Sequence, residues 1–289
     1  MQGSFETLKG QPFYVRRWGD PNLPPLLMLH GFPEYGGAWQ QVAQRLSQRF
    51  HCIAPDQRGF GQSWAPKGVE NYTAAELVGD MAALISPQNR PVTVFGHDWG
   101  AAIAYGLAMF HPQLVDRLII ANGVHPVPFQ RALAAGGAQT AASQYITWLR
   151  QPGVEAELSA NGFEKLQKLF ATHMDMSWLS GALLQTYKAE WSRPGRLEAM
   201  VNWYRASPLQ VGSPGQPIAM PPLPVERLMV RQPHLLLWGD GDTALLPETT
   251  QGLEDFAPDL TRVTLAGCDH WLHHQQPGDV AQAILDWHA

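Results

Sequence analysis

Short apolar runs alternate with longer amphipathic stretches along most of this 289-residue chain. Five runs, at 25–29, 51–54, 92–95, 118–121 and 235–238, are nearly unbroken in hydrophobic character. Strands buried on both faces of a parallel sheet have that pattern. A further segment at 263–266 has strand character close to the C-terminus. Between the runs, residues 38–50, 74–85 and 101–110 have helical spacing. Strand, helix and strand in repetition predict right-handed βαβ crossovers and an α/β fold, a doubly wound, mainly parallel sheet.

The pattern changes after Asn122. From about 129 to 207 the chain reads as helix, rich in Ala, Leu and Trp, with no strand-like run. A Pro-rich passage follows, Ser213-Pro-Gly-Gln-Pro through Pro224, before strand character returns at Leu235. A single crossover needs far fewer residues, so we expect 129–215 to be a helical cap inserted into a core formed by 1–128 and 216–289.

Composition narrows the function classes. The chain is 45% hydrophobic and 16% charged, enough for a large core. The net charge of −5 comes from 25 acidic and 20 basic residues without a long run of one sign, so no nucleic-acid footprint is expected. Cys52 and Cys268 are far apart and belong to no C-x-x-C pair, which argues against a structural disulfide or zinc knuckle. The N-terminal residues lack a basic stretch followed by an apolar one, and no run reaches membrane-spanning length. The expectation is a cytoplasmic protein with no membrane span, and the sequence leaves room for a homo-oligomer.

The densest chemistry lies where the run at 92–95 meets the helix after it, in Gly96-His97-Asp98-Trp99-Gly100. Small residues at 96, 100 and 101 let strand and helix close around a sharp turn with Asp98 at its apex. An aspartate there could simply cap the helix. As a nucleophile it would be ionised already, needing no base, and would attack saturated carbon to leave an alkyl ester for water to hydrolyse. That chemistry suits epoxides and alkyl halides. No G-x-S-x-G occurs anywhere in the chain.

Other segments supply the remaining groups. His30-Gly31-Phe32-Pro33-Glu34 follows a strand directly, and Pro33 could set a cis turn that aims the Phe32 amide into the cavity above the strand ends. With the Trp99 amide it would form an oxyanion hole. Gly267-Cys268-Asp269-His270-Trp271 places a histidine after the last strand, where a general base belongs. Asp240 and Asp242 both follow the run at 235–238, and spacing does not choose between them. His270 and His273, three apart and without a cysteine or carboxylate framework, give no metal site, and no cofactor is expected.

These motifs, together with Asp56-Gln57-Arg58-Gly59-Phe60-Gly61-Gln62-Ser63 and Gly241-Asp242 through Leu246-Pro247, resemble those of the α/β-hydrolase-fold epoxide hydrolases over most of the chain. The resemblance implies Asp98 as nucleophile, His270 as base and Asp242 as its orienting acid. It also implies two cap tyrosines that hold and protonate the epoxide oxygen. Tyr145, in Gln144-Tyr145-Ile146, and Tyr204, in Asn202-Trp203-Tyr204-Arg205, match those segments. Phe32, Trp99, Tyr145 and Tyr204 would then contact a small apolar epoxide, with water as second substrate. Tyr187 lies in neither segment and reads as packing.

Two other readings remain. Haloalkane dehalogenases share the aspartate nucleophile but usually add a second halide donor, often asparagine at the position held here by Phe32. Fluoroacetate dehalogenases place arginine after the nucleophile, where this chain has Trp99. A ligand-binding protein without turnover could use the same fold, although every expected catalytic position here carries a competent residue.

Overall fold

The computed structural model describes residues 1–172 and 174–288. Strands β1 (Gln2–Leu8) and β2 (Gln11–Trp18) form an antiparallel hairpin. Six further strands, β3 (Pro25–Leu29), β4 (His51–Pro55), β5 (Val92–His97), β6 (Val115–Ala121), β7 (His234–Gly239) and β8 (Leu260–Leu265), run parallel to one another. The order across the sheet is β1-β2-β4-β3-β5-β6-β7-β8.

Alternation along the central strands explains why they are apolar throughout. Leu27 and Leu29 of β3, Val94 of β5, Leu118 and Ile120 of β6, and Leu236 and Trp238 of β7 enter one core. Their neighbours Leu26, Met28, Phe95, Ile119, Ala121, Leu235 and Leu237 enter the other. Helices α1 (Gln40–Leu46), α10 (Leu272–Gln275) and α11 (Pro277–His288) cover the second core through Val42, Leu46, Leu272, Val280 and Ile284. Helices α2 (Ala74–Ile85) and α3 (Trp99–Phe110) cover the first through Val78, Met81, Ile103 and Leu107.

The chain between β6 and β7 builds α4 (Pro126–Ala134), α5 (Ala138–Ala142), α6 (Gln144–Leu149), α7 (Val154–Phe170), α8 (Gly181–Trp191) and α9 (Arg196–Ala206). Helix α7 is broken inside by non-helical residues Ala160 to Phe163. The Pro-rich passage then folds back on α4, with the Ile218 amide donating to the Ala134 carbonyl at 2.9 Å.

Three local features differ from the sequence reading. The N-terminal hairpin falls outside the expected strands: outer strand β1 is mostly exposed and has no apolar alternation to mark it, and β2 buries Phe13, Val15 and Trp18 in a run interrupted by Arg16 and Arg17. Helix α1 is shorter than 38–50: a 3₁₀ turn, Gly36–Trp39, precedes it, and it ends at Leu46. The strands near 118 and 263 begin earlier, at Val115 and Leu260, where polar and exposed residues hide them. Among the described residues, no helix is long and apolar enough to cross a membrane.

Candidate active site

Five parallel strands end on the same side of the sheet, and each is followed by a residue of interest: Phe32 after β3, Asp98 after β5, Asn122 after β6, Asp242 after β7 and His270 after β8. Ligands bind in the crevice outside the carboxyl ends of such strands.

Asp98 is the apex of the turn between β5 and α3, with φ +50° and ψ −120°. An L-residue holds that conformation only where its surroundings enforce it. The packing around it is tight. A Cβ on Gly96 would come within 2.5 Å of the Gly100 carbonyl oxygen, and one on Gly31 within 2.8 Å of the Asp98 Cγ. The Asp98 side chain makes no capping bond to α3, so the capping alternative does not hold. Its Oδ1 instead accepts from the Phe32 amide at 2.8 Å, and its Oδ2 lies 3.7 Å from His270 Nε2.

The Phe32–Pro33 bond is cis. The loop that carries it is held from beneath by the Asp56 motif, because Gln57 Nε2 donates to the His30 carbonyl at 2.6 Å and Asp56 Oδ1 accepts from the Gly36 amide at 2.8 Å. Trp99 is the first residue of α3, so its amide belongs to the helix-start donors that lack an intrahelical carbonyl.

His270 is buried, and its Nδ1 meets Asp242 Oδ2 at 2.8 Å. The same Oδ2 accepts from Asn122 Nδ2 at 2.7 Å, while Oδ1 accepts from the amides of Ala244 and Leu245 at 2.8 and 2.9 Å. Asp240, the other aspartate left open by spacing, binds the Gly267 amide at 3.0 Å instead. Burial alone would raise the Asp242 pKa, but the imidazole and these donors outweigh it and hold the carboxyl below its usual range. Burial likewise disfavours charge on His270. The carboxylates of Asp242 and Asp98 overcome that and lift its pKa well above the ordinary histidine value.

The two tyrosines come from α6 and α9. Their rings lie 6.1 Å apart, and Tyr204 also packs edge-on against Phe32 and Trp99, each at 5.1 Å. Burial, followed by the neighbouring acidic groups, raises both phenol pKa values, so each hydroxyl keeps its proton at neutral pH. Arg150, just past α6, ties the two helices together by donating to the carbonyls of Tyr204, Leu209 and Ser207 at 2.9, 2.9 and 3.0 Å.

Two cavities, of about 560 and 350 Å³, open on either side of this cluster, and Asp98, Tyr145 and Tyr204 line both. Trp99 faces the larger, together with Met109, Phe129 and Leu228; Phe32 and His270 face the smaller. The structure thus brings every expected site residue to one junction, with Asp242 behind His270. A carboxylate, an imidazole with a buried acid behind it and two protonated phenols can together form an ester, activate water and donate a proton to a leaving oxygen.

A profile of the alpha/beta hydrolase fold family matches residues 24–277. The chain belongs to that family. Among curated relatives of this hydrolase, "AB hydrolase superfamily protein YfhM" of Bacillus subtilis is 30% identical over 98% of this chain and 96% of its own length. Human "Epoxide hydrolase 4" is 30% identical over 95% of this chain and 75% of its own length. A solved structure titled "Novel epoxide hydrolases belonging to the alpha/beta hydrolases superfamily in metagenomes from hot environments" superposes with a TM-score of 0.91 at 33% identity, covering 100% of this chain and 99% of the other.

Sequence reasoning misses two features of this hydrolase. Asn122, fully buried with φ +33°, accepts from the Gly239 amide at 2.7 Å and so joins the end of β6 to the Asp242 loop. Its position just past an apolar strand is the only available signal. Tyr187 reads as packing, yet its hydroxyl donates to Glu34 Oε1 at 3.0 Å. Glu34 is visible within the His30 motif but has no partner in the linear chain.

Proposed function

We propose that this protein is an epoxide hydrolase that opens an epoxide to a vicinal diol through a covalent ester on Asp98. The observation that carries the proposal is the junction itself, where one carboxylate faces the His270–Asp242 pair on one side and shares both cavities with two phenols. The similarity to proteins named epoxide hydrolases supports the same reading.

In the first step Asp98 attacks a ring carbon while Tyr145 and Tyr204 hold the oxygen and supply its proton. The carbon–oxygen bond breaks, leaving a hydroxyalkyl ester. Phenols with raised pKa values remain protonated and so can serve as donors. In the second step His270 takes a proton from water, which attacks the ester carbonyl, and Asp242 stabilises the imidazolium so formed. The adduct then collapses, the acyl carbon–oxygen bond breaks to release the diol and restore the Asp98 carboxylate, and the imidazolium proton returns to the phenolate. The Phe32 amide, already bonded to Asp98 Oδ1, needs little movement to hold the oxyanion, with the Trp99 amide as second donor.

Residues 129–215 act in this scheme as the cap that brings the phenols over the strand ends. The paired cavities fit an epoxide with apolar substituents on both ring carbons, the bulkier one lying along α3.

His270→Gln should permit the first step and block the second. Incubation with styrene oxide is then expected to add one substrate mass to the peptide containing Asp98, and an unmodified, inactive but folded variant would reject the covalent route. A panel of epoxides and haloalkanes, scored for diol and halide release, separates this activity from dehalogenation. Neither product would leave a binding protein.

A further inference from the structure

Behind the active site, on the far side of His270, lies a buried cluster that the reaction above does not use. Glu34 comes from the loop after β3, His97 is the last residue of β5, and His273 lies in α10. All three side chains are at most 1% exposed. Residue spacing pairs His273 with His270, but the fold points it at Glu34, from a different motif.

Two of the separations match those between ligands of one metal ion, in a cluster where His273 Nε2 is also within hydrogen-bond reach of both Glu34 oxygens, at 3.3 and 3.2 Å. His97 Nδ1 is 3.4 Å and His273 Nε2 is 3.2 Å from the same oxygen, Glu34 Oε2. One ligand atom from each of the three residues lies within 4.8 Å of the others. Two ligands about 2.05 Å from a tetrahedral zinc ion are about 3.3 Å apart.

The proton inventory favours a cation as well. His97 Nε2 contacts the His270 carbonyl at 2.8 Å, and a carbonyl can only accept, so that nitrogen carries the proton. Its Nδ1 faces Glu34 Oε2 at 3.4 Å without a hydrogen-bond partner, and in the neutral ring it is a lone pair. Two acceptors in a dry interior repel each other unless positive charge lies between them. A ring N–H bonded to a backbone carbonyl is also the usual outer support of a metal-bound histidine. The Tyr187 hydroxyl, 3.0 Å from Glu34 Oε1, fixes the carboxylate in the same way.

The cluster lies closest to solvent at His274. His274 Nε2 contacts Glu34 Oε1 at 2.6 Å, and its ring stacks on Trp178 with centroids 3.7 Å apart. Both residues line an open cavity of about 540 Å³ whose wall includes Asp175, Asp240 and Asp269, acids that would draw a cation inwards.

We propose that Glu34 Oε2, His97 Nδ1 and His273 Nε2 form a binding site for a divalent transition-metal ion of the zinc type, with water or His274 completing its coordination. Imidazole and carboxylate ligands suit zinc better than magnesium or calcium, which prefer oxygen. Because His97 holds the His270 carbonyl, an ion here acts on the segment that carries the proposed base. The site does not depend on which reaction the active site performs.

The test is titration of the metal-stripped full chain with zinc chloride against a chromophoric chelator, followed by X-ray absorption at the zinc edge. We expect one ion per chain, with nitrogen and oxygen ligands and no sulfur. His273→Gln should weaken binding about 100-fold, as should the independent Glu34→Gln variant, each judged only after circular dichroism shows a native fold. His288→Gln, on the terminal helix, is the control for histidine-dependent surface binding and should bind as the unaltered chain does. Absence of stoichiometric binding would overturn the proposal and leave a proton between His97 and Glu34. Unchanged binding in folded His273→Gln and Glu34→Gln variants would equally overturn it, as would loss of binding in His288→Gln.

Discussion

Asp242→Asn is nearly isosteric, yet it cannot satisfy the site whichever way the amide turns. The carboxylate accepts four hydrogen bonds, two at Oδ2 from His270 and Asn122 and two at Oδ1 from the Ala244 and Leu245 amides. With its oxygen toward the backbone amides, the substituted side chain would aim an NH2 group at two donors. Rotated, it would aim the same group at the two amides. Either way two hydrogen bonds to an ionised acceptor disappear. At about 1.5–3 kcal/mol each, the loss is about 3–6 kcal/mol. If the transition state for ester hydrolysis bears that loss, the rate falls by about two to four powers of ten. Single-turnover kinetics should locate the defect in the second half-reaction, with ester accumulating on Asp98. The pH dependence of stability should change with it. The carboxyl of Asp242 is held below its usual range, so its contribution to stability is complete above the ordinary carboxylate value and is lost as pH falls through the lower, folded-state value. Asp242→Asn has no such group and should lack that part of the acid limb in a denaturation series. Turnover within about tenfold of the unaltered protein, with an unchanged acid limb, would refute the reasoning.

Asp98→Asn removes one of the charges that raise the His270 pKa, and that charge also raises the pKa values of Tyr145 and Tyr204, so all three should fall. Imidazole nitrogen shifts in an NMR titration measure the first of these, and no downward movement would disprove the electrostatic link. Arg150→Met keeps much of the aliphatic stem but loses three bonds to the carbonyls of Tyr204, Leu209 and Ser207. It should loosen α6 against α9 by about 2–4 kcal/mol, less than the full value of three charged bonds because the guanidinium is only partly buried. Faster hydrogen exchange in residues 144–149, together with turnover reduced at least about tenfold, checks this; unchanged exchange would show that Arg150 does not hold the tyrosine helices.

The sheet is legible because its central strands are apolar on both faces, and that follows directly from having a core on each side. The hairpin β1–β2 is not, since β1 is held by its backbone pairing with β2 and stays mostly exposed, and the buried Phe13, Val15 and Trp18 of β2 are interrupted by Arg16 and Arg17. Asp98, Phe32 and His270 can be found for a related reason. Phe32 and Asp98 sit at strand ends in motifs whose small residues are required by close packing, as Gly31 and Gly96 show, while Gly267 in the His270 motif is favoured by its φ of +76°. Tyr145 and Tyr204 can be found only through family resemblance, because nothing local distinguishes a helix tyrosine that faces a cavity from one that faces a core. Asp242 is ambiguous with Asp240 because both follow the same strand and both suit a turn. What separates them is Asn122, 120 residues away in sequence, whose amide reaches Asp242 Oδ2.

That distant contact explains how the end of the sheet can hold an ionised acid in a buried place. A carboxylate removed from water is costly unless every lone pair has a donor. Four donors reach Asp242 from three separate parts of the chain: β6 supplies Asn122, the loop after β7 supplies two amides, and the segment after β8 supplies His270. Beyond its two local amides, the motif around Asp242 can supply none of these donors itself. The charge is therefore stable only after strands β6, β7 and β8 are in register, which two-sided burial fixes for β6 and β7 and pairing with β7 fixes for the exposed edge strand β8. Folding of the sheet and assembly of the His270–Asp242 pair are thus one event, and a substitution that frays β8 should weaken the pair before it exposes the core.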